Sequence, residues 1–141
     1  MIRIPDTTLW LGNARDLRDV SSILAEDIAV IVDLAVEEPL PKMPRVINYC
    51  RFALTDEGED AEAVITAAVR VASTFVAADV RTIVCCNVGM NRSPSIAAAV
   101  LAVVLKCEVV AAIEKIAGLK PIDVNPALWS RVVGVVGSLS T

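Results

Sequence analysis

The chain has 141 residues, a formal net charge of −4, and 55% hydrophobic residues with few aromatics among them. It contains no histidine, which excludes Ser-His-Asp and Cys-His catalysis, phosphohistidine chemistry and nearly all catalytic zinc sites. The acidic balance, without any run of basic residues, argues against nucleic acid as a partner.

Apolar runs bounded by turn residues predict five strands along the chain. The first two flank the Pro5-Asp6 turn and are short enough to be edge strands. The run from 28 to 34 is almost continuously apolar, which is typical of a strand buried on both faces. Three prolines make the segment 37–44 a loop. The predicted strands occupy residues 2–4, 9–11, 28–34, 46–54 and 81–86.

Helical patterns lie between these strands and after the last one. Asn125 and Pro126 predict a helix start, with Asn as the cap and Pro at the first helical position. In the segment 61–78, five residues recur at helical spacing and predict one apolar face: Val64, Ala68, Val71, Phe75 and Ala78. The predicted helices occupy residues 21–26, 61–78, 93–106, 109–117 and 125–136.

The order of these elements predicts the fold class and the domain organisation. Alternating strands and helices favour a small α/β fold, with a central, mostly parallel sheet of about five strands flanked by helices. The length suits one domain, which we expect to span residues 1–141. No apolar run reaches the roughly 18 residues of a membrane helix, and the start does not resemble a signal peptide. We therefore expect a cytoplasmic protein without a membrane partner.

The four cysteines, Cys50, Cys85, Cys86 and Cys107, include no C-x-x-C pair. Without histidine a zinc site would need all four, so we predict no metal and no other cofactor. Free thiols also fit the reducing conditions of the cytosol. Neighbouring residues of a strand face opposite ways, so we expect Cys85 to point away from Cys86 and to fill the core. Cys50 and Cys107 are expected in the core as well.

The segment 86–94 has the composition of an anion-binding loop between a buried strand and a helix. A loop with inward-facing N–H groups can surround three phosphate oxygens, and the helix dipole adds to the positive field. Gly89 allows the turn, and Arg92 offers a planar fork for two oxygens. Pro94 fits the first helical turn. The predicted phosphate-binding residues are Asn87, Val88, Gly89, Met90, Asn91 and Arg92.

Cys86 lies at the start of this loop, where the positive field favours its thiolate form. A thiolate there can attack phosphorus in line and form a phosphocysteine, and the hydroxyl of Ser93 can assist its later departure. The alternative is that Cys86 is a core cysteine and Arg92 a surface residue at a helix start. The positions of Gly, Arg and Ser-Pro favour the anion site.

Asp56 is the predicted acid that protonates the leaving oxygen and later activates water. It follows the strand 46–54, which we expect to neighbour the strand of Cys86, and parallel strands open their carboxyl ends on one side. Asp56 could instead be a solvated turn residue or a helix cap. Three other acidic residues share its loop: Glu57, Glu59 and Asp60.

The sequence resembles the dual-specificity phosphatases of the cysteine-dependent protein tyrosine phosphatase superfamily. Residues 86–93 match their signature loop, and residues 51–56 resemble the strand that leads to their general-acid loop. Weaker matches cover residues 9–12, 30–34 and 120–129. The resemblance implies a protein tyrosine phosphatase-like fold and one catalytic domain. It also implies roles: Cys86 as nucleophile, Arg92 in phosphate binding, Ser93 in thiolate departure, and Asp56 as acid and base.

The implied function is hydrolysis of phosphate monoesters through a phosphocysteine, on phosphotyrosine and phosphoserine or phosphothreonine in proteins or on small phosphoesters. Phosphoinositides are less favoured, because no basic side chain lies between Cys86 and Arg92. Arg51, Lys42 and Lys120 could contact a substrate, but we interpret them as solvated charges.

One departure separates this chain from the family. The family usually has histidine immediately before the nucleophile, where it organises the loop, and here that residue is Cys85. We therefore expect weakened but surviving activity. The alternative is a weak or inactive phosphate-binding pseudophosphatase module. A redox or oxyanion enzyme, such as an arsenate reductase or a sulfurtransferase, is disfavoured because no nearby loop offers a resolving cysteine.

Overall fold

The computed structural model describes residues 1–140 and contains a five-stranded sheet in the order β1-β2-β5-β3-β4. Only β1 is antiparallel to its neighbour, and the other strands are parallel to one another. This confirms the predicted α/β fold with a mostly parallel sheet. The strands are β1 (Ile2–Arg3), β2 (Leu9–Asn13), β3 (Val30–Ala35), β4 (Asn48–Leu54) and β5 (Thr82–Cys86).

Six helices accompany the sheet in the described residues: α1 (Ala14–Arg18), α2 (Val20–Ala25), α3 (Glu62–Ala77), α4 (Arg92–Leu105), α5 (Val109–Ala117) and α6 (Pro126–Leu139). The short helix α1 was not predicted. It is held by a capping box, in which the Asn13 side chain accepts from the Asp16 amide and the Asp16 carboxylate accepts from the Asn13 amide. The predicted cap of α6 is confirmed, since the Asn125 side chain accepts from the amides of Ala127 and Leu128.

The strand order corrects two expectations. β2 is an interior strand, because β5 pairs with it on the side opposite β1. β4 does not neighbour β5, because β3 lies between them. After β4 the chain forms α3 and then β5, which lies between β2 and β3. The order of strands in a sheet cannot be predicted from the sequence pattern of each strand alone. All four parallel strands still open their carboxyl ends on one side of the sheet.

The two faces of the sheet bury different clusters. On one face, Val84 and Cys86 of β5 pack into the core formed with α3 to α6. On the other face, Ile83 and Cys85 pack with Trp10 and other residues near α1 and α2. Cys85 and Cys86 therefore point in opposite directions, as expected from strand geometry.

The remaining cysteines differ from expectation. Cys107 is exposed, and Cys50 is only half-buried. Cys107 follows the left-handed C-cap of α4, Lys106, and so lies where the chain leaves the core. Both cysteines were predicted to be buried from their residue type alone. Residue type does not show where the chain leaves the core.

The buried face of α3 is rotated from the predicted one. Val64, Val71 and Phe75 are only half-buried, and Ala78 is exposed beyond the end of the helix. Alanine and valine occur on more than one side of α3, so spacing alone does not single out the inner face. The buried face consists of Ile65, Ala68, Val69, Ala72, Ser73 and Val76.

Helix α4 lies at the centre of the helical layer, where it contacts α3, α5 and α6. Every residue from Arg92 to Ala102 is buried. The run Ala97–Ala99 provides small side chains that let neighbouring helices approach. Packing on all sides therefore fixes the position of the first turn of α4.

Leu101 and Leu105 provide a matched test of this burial, since both lie on α4 and are 1% and 48% exposed. We expect Leu101→Ala to reduce the free energy of unfolding by about 2–5 kcal/mol, through lost burial and a cavity. Leu105→Ala should cost about 0.5 kcal/mol or less. Urea unfolding measures both, and equal losses would contradict the central place of α4 in the core.

Candidate active site

A cavity of about 550 Å³ opens at the carboxyl ends of the parallel strands. It is lined by the loop that follows β5, by Glu37 after β3, by Asp56 and Glu57 after β4, and by the segment 123–126 before α6. Ligands of parallel α/β sheets bind at this edge. The structure therefore brings the predicted loop and the predicted acid to one cavity.

Backbone amides converge on the sulfur of Cys86, the last residue of β5. Cys86 Sγ accepts hydrogen bonds from the amides of Gly89, at 3.2 Å, and Ser93, at 3.4 Å. The hydroxyl oxygen of Ser93 lies 3.3 Å from the same sulfur. The loop thus surrounds the side chain of Cys86. Cys86 is only 2% exposed and lies at the floor of the cavity.

The end of β2 packs against the loop that follows β5, a contact that was not predicted from the sequence. Gly89 has φ +84°, and a Cβ built on it would lie 3.1 Å from the carbonyl oxygen of Gly12. A Cβ on Gly12 would lie 2.8 Å from Ile83 Cδ1. The amide of Ala14 donates to the carbonyl of Asn87 at 3.1 Å. Gly89 therefore lets the loop approach the backbone of β2, whereas Gly12 leaves room for Ile83 of the neighbouring strand β5.

The first turn of α4 offers its amides to the site. No side chain caps this helix, although the first amides of a helix lack partners within it. The Ser93 amide instead faces Cys86 Sγ. The positive end of the helix dipole is thus directed at the sulfur.

The Arg92 side chain is 3% exposed, and its contacts are concentrated at Nη1. Its Nη1 donates to the carbonyl of Leu54 at 2.8 Å, approaches that of Leu34 at 3.4 Å, and pairs with Glu37 Oε1 at 2.8 Å. Nε lies 3.2 Å from Asp56 Oδ1, yet it is buried without a hydrogen-bond acceptor. The guanidinium is therefore anchored at the ends of β3 and β4 through Nη1, and within residues 1–140 this leaves Nε and Nη2 as donors for an anion.

Negative groups determine the charge state of Arg92. Burial alone would lower its pKa, but the hydrogen bond that Arg92 donates to Glu37 and the charges of Cys86, Glu37 and Asp56 outweigh burial and raise the pKa above its ordinary value. Arg92 therefore remains a cation.

Glu37 was not identified as a site residue from the sequence, because it lies at the edge of a proline-rich loop. Arg51 fixes that loop: its Nη1 donates to the carbonyl of Glu38 at 2.7 Å, and its Nη2 pairs with Asp33 Oδ2 at 2.8 Å. Arg51 is half-buried, so its interpretation as a solvated charge is wrong.

Asp33 is a buried carboxylate that joins this network from the sheet. It accepts hydrogen bonds from the Tyr49 hydroxyl, from Arg51 and from the Ala35 amide. Burial and the hydrogen bond to Asp33 raise the pKa of Tyr49. Burial would lower the pKa of Arg51, but Asp33 outweighs it and raises that pKa. Arg51 therefore stays a cation, and its contacts link Asp33 of β3 to the carbonyl of Glu38, next to Glu37.

Asp56 is exposed but tethered by Asn91. Asn91 Nδ2 donates to the carbonyl oxygen of Asp56 at 2.8 Å and to its Oδ1 at 3.2 Å, and Asn91 Oδ1 accepts from the Asn125 amide at 2.7 Å. Asp56 and Glu57 line the cavity, and of these two Asp56 contacts Arg92. The tether explains how Asp56 reaches the loop of β5 although their strands are not adjacent.

The two lysines considered in the sequence differ from each other. Lys120 Nζ donates to the carbonyl oxygen of Gly89, on the outer side of the loop. Lys120 is therefore a contact of the loop and not a solvated charge. Lys42 is exposed, as expected.

The remaining findings concern metals, thiols and membranes. Within residues 1–140, no cluster of three or more His, Cys, Asp or Glu side chains is placed to hold a metal ion. The cysteines are free thiols, and burial and the charge of Asp33 raise the pKa of Cys85. No helix in this range has the length and hydropathy to cross a membrane.

Sequence comparisons identify no relative: no family model matches the chain, and no curated protein sequence is significantly similar. Solved structures do match. Human DUSP28 superposes with a TM-score of 0.88 at 21% identity, over 99% of this chain and 98% of that chain. The fold is that of the dual-specificity phosphatases.

Two further dual-specificity phosphatase-like structures agree. DUSP15 gives a TM-score of 0.80 at 20% identity, over 99% of this chain and 94% of that chain. PTPMT1 in complex with PI(5)P gives 0.75 at 18% identity, over 99% and 96%. Since the three identities are 21% or lower, the likeness establishes the dual-specificity phosphatase fold, and the chemistry has to be argued from the site.

Gly89→Ala tests the geometry of the loop. A Cβ at φ +84°, 3.1 Å from a backbone oxygen, should strain the loop and lower the free energy of unfolding by about 1–2 kcal/mol. Affinity for vanadate or phosphate should fall as well, because the loop amides move. Urea unfolding and isothermal titration calorimetry provide the measurements.

Gly137→Ala is the matched control for that change. Gly137 lies in α6, and a Cβ there would meet nothing within 4 Å. This change should stabilise the protein by about 0.5–1 kcal/mol and leave anion binding unaltered. If Gly89→Ala behaved like Gly137→Ala, the argument for a tightly packed loop would be wrong.

Proposed function

We propose that this protein is a cysteine-dependent dual-specificity phosphatase that hydrolyses phosphate monoesters through a phosphocysteine. Its substrates are phosphotyrosine and phosphoserine or phosphothreonine in proteins, or small phosphoesters. The observation that carries the proposal is the Cys86 sulfur ringed by two amides, beside a buried Arg92 whose Nε lacks an acceptor. A sulfur nucleophile, inward amides and a guanidinium are the parts that phosphoryl transfer from an ester requires.

In the first step, the phosphoryl group lies over the loop with its oxygens directed at the loop amides and at Arg92. The Cys86 thiolate attacks phosphorus, an S–P bond forms, and the ester P–O bond breaks on the opposite side. Asp56 in its acid form donates its proton to the leaving oxygen. The loop amides and Arg92 stabilise the charge that spreads over the three phosphoryl oxygens.

In the second step, water replaces the leaving group. Asp56, now a carboxylate, removes a proton from water, which attacks phosphorus and breaks the S–P bond. The products are inorganic phosphate and the Cys86 thiolate. The Ser93 hydroxyl, 3.3 Å from the sulfur, donates a hydrogen bond that stabilises the departing thiolate.

Glu37 acts on this chemistry through Arg92. Its carboxylate holds Nη1 at 2.8 Å, so the rotamer of Arg92 is fixed before an anion arrives. A donor that is already oriented loses little entropy when it binds. Glu37 is thus a positioning residue for Arg92.

Rates on two kinds of ester test the assigned roles. We expect Cys86→Ser to reduce turnover of p-nitrophenyl phosphate by about 10³-fold or more, since the nucleophile is lost. Asp56→Ala should reduce turnover of an alkyl phosphate by about 10²–10⁴-fold. It should affect p-nitrophenyl phosphate much less, because p-nitrophenolate leaves without a proton.

Glu59→Gln is the matched control, since Glu59 is an exposed acid of the same loop that does not line the cavity. Equal rates for the wild-type protein and Cys86→Ser would eliminate the thiol mechanism. An Asp56→Ala protein that matches the wild type on alkyl phosphates would eliminate the acid assignment. A wild-type protein that binds phosphate without any turnover would favour the binding module, which the replacement of histidine by Cys85 makes the second candidate.

Asn91→Ala tests whether Asn91 positions Asp56. Loss of the two contacts from Nδ2 should reduce turnover of an alkyl phosphate by about 10-fold while leaving p-nitrophenyl phosphate nearly unchanged. In an Asp56→Ala background the same change should have little further effect on the alkyl ester. Equal losses on both esters, or in both backgrounds, would show that Asn91 acts on the loop and not through Asp56.

A further inference from the structure

Carboxylates dominate the charge around the candidate active site. Four of them line the cavity, whereas Arg92 is the one cationic side chain that lines it in the described part of the chain. The formal charge of these lining side chains is therefore −3. The four carboxylates belong to Glu37, Asp56, Glu57 and Asp123.

Two of these carboxylates are already compensated, and two are not. Glu37 and Asp56 lie 2.8 and 3.2 Å from the guanidinium of Arg92. Glu57 and Asp123 are exposed, and within residues 1–140 neither forms an ion pair. Arg92 thus has no positive charge left to offset the outer pair.

No other basic side chain compensates for this rim. Residues 87–91 include no Lys or Arg, and Lys120 is bound to the carbonyl of Gly89 outside the cavity lining. The floor still attracts a phosphate, through the sulfur-facing amides and the buried Nε of Arg92, which lacks an acceptor. The cavity therefore combines an anion-binding floor with an anionic rim.

We propose that the site selects phosphopeptides in which Lys or Arg flanks the phosphorylated residue, an inference that rests on the phosphatase function proposed above. The phosphate binds at the floor, and the flanking cation lies between Glu57 and Asp123. Apolar side chains beside the rim, Val88 and Val124, accommodate the aliphatic stem of Lys or Arg. A substrate with further phosphates or acidic neighbours is repelled by the same two carboxylates.

Matched phosphotyrosine peptides test this selection, with Lys, Ala or Glu on both sides of the phosphotyrosine. We expect kcat/KM for the Lys peptide to exceed that for the Glu peptide by about 10-fold or more at low salt. The difference should shrink in about 0.5 M NaCl, because exposed charges are screened. A soluble inositol polyphosphate should be hydrolysed more slowly than the Lys peptide.

The double variant Glu57→Gln/Asp123→Asn should reduce the Lys-over-Glu ratio by about 3–10-fold. Its matched control is Glu59→Gln/Asp60→Asn, which removes the same charge from exposed positions outside the cavity lining and should preserve the ratio. Asp60 has φ +52°, which asparagine tolerates. An absent preference, an equal drop in both variants, or faster hydrolysis of the inositol polyphosphate would overturn the proposal.

Peptide binding to Cys86→Ser, measured by fluorescence anisotropy, separates this inference from the proposed function. The same order of affinities, Lys before Ala before Glu, is expected in this variant. A wild-type protein inert towards p-nitrophenyl phosphate and all peptides would contradict the phosphatase function, while this order of affinities would still support the rim selection. Turnover of p-nitrophenyl phosphate without any charge preference would contradict the rim selection alone.

Discussion

The hydrogen bond from the Ser93 amide to the Cys86 sulfur joins the two elements that build the site. Cys86 ends the central strand β5, and Ser93 lies in the first turn of α4. Both residues are buried, and α4 is packed on all sides. The position of the sulfur relative to the Ser93 amide is therefore set by the core, because neither partner can shift without moving β5 or α4. Core packing thus determines the geometry of a polar site.

Arg92 is the second constraint, because a buried guanidinium requires compensation. Carbonyl oxygens at the ends of β3 and β4 accept from Nη1, and Glu37 and Asp56 supply negative charge. Asp56 lies 3.2 Å from Nε, which is buried without a hydrogen-bond acceptor. An anion bound at Nε would therefore compete with Asp56 for the same donor.

Local sequence patterns predicted most features of the loop that follows β5. The features that were missed depend on which strands pair in the sheet. Gly89 has a positive φ, which glycine adopts readily, and Arg92 begins α4, so both positions can be predicted from neighbouring residues. Glu37 and Arg92, by contrast, are far apart in sequence and meet only because β5 inserts beside β3. The same insertion separates β4 from β5, so Asp56 was assigned correctly to this edge of the sheet for a partly wrong reason.

Cys85, which precedes Cys86 in β5, does not hold the loop. Its thiol is buried on the opposite face of the sheet, and burial raises its pKa. Other segments hold the loop instead: the Ala14 amide binds the Asn87 carbonyl, Lys120 binds the Gly89 carbonyl, and Asn91 binds Asp56 and the Asn125 amide. The loop that follows β5 is thereby held by α1, by the loop that follows β4 and by the segments on either side of residue 123, before α6. These contacts hold the loop in the conformation in which the amides of Gly89 and Ser93 face the sulfur.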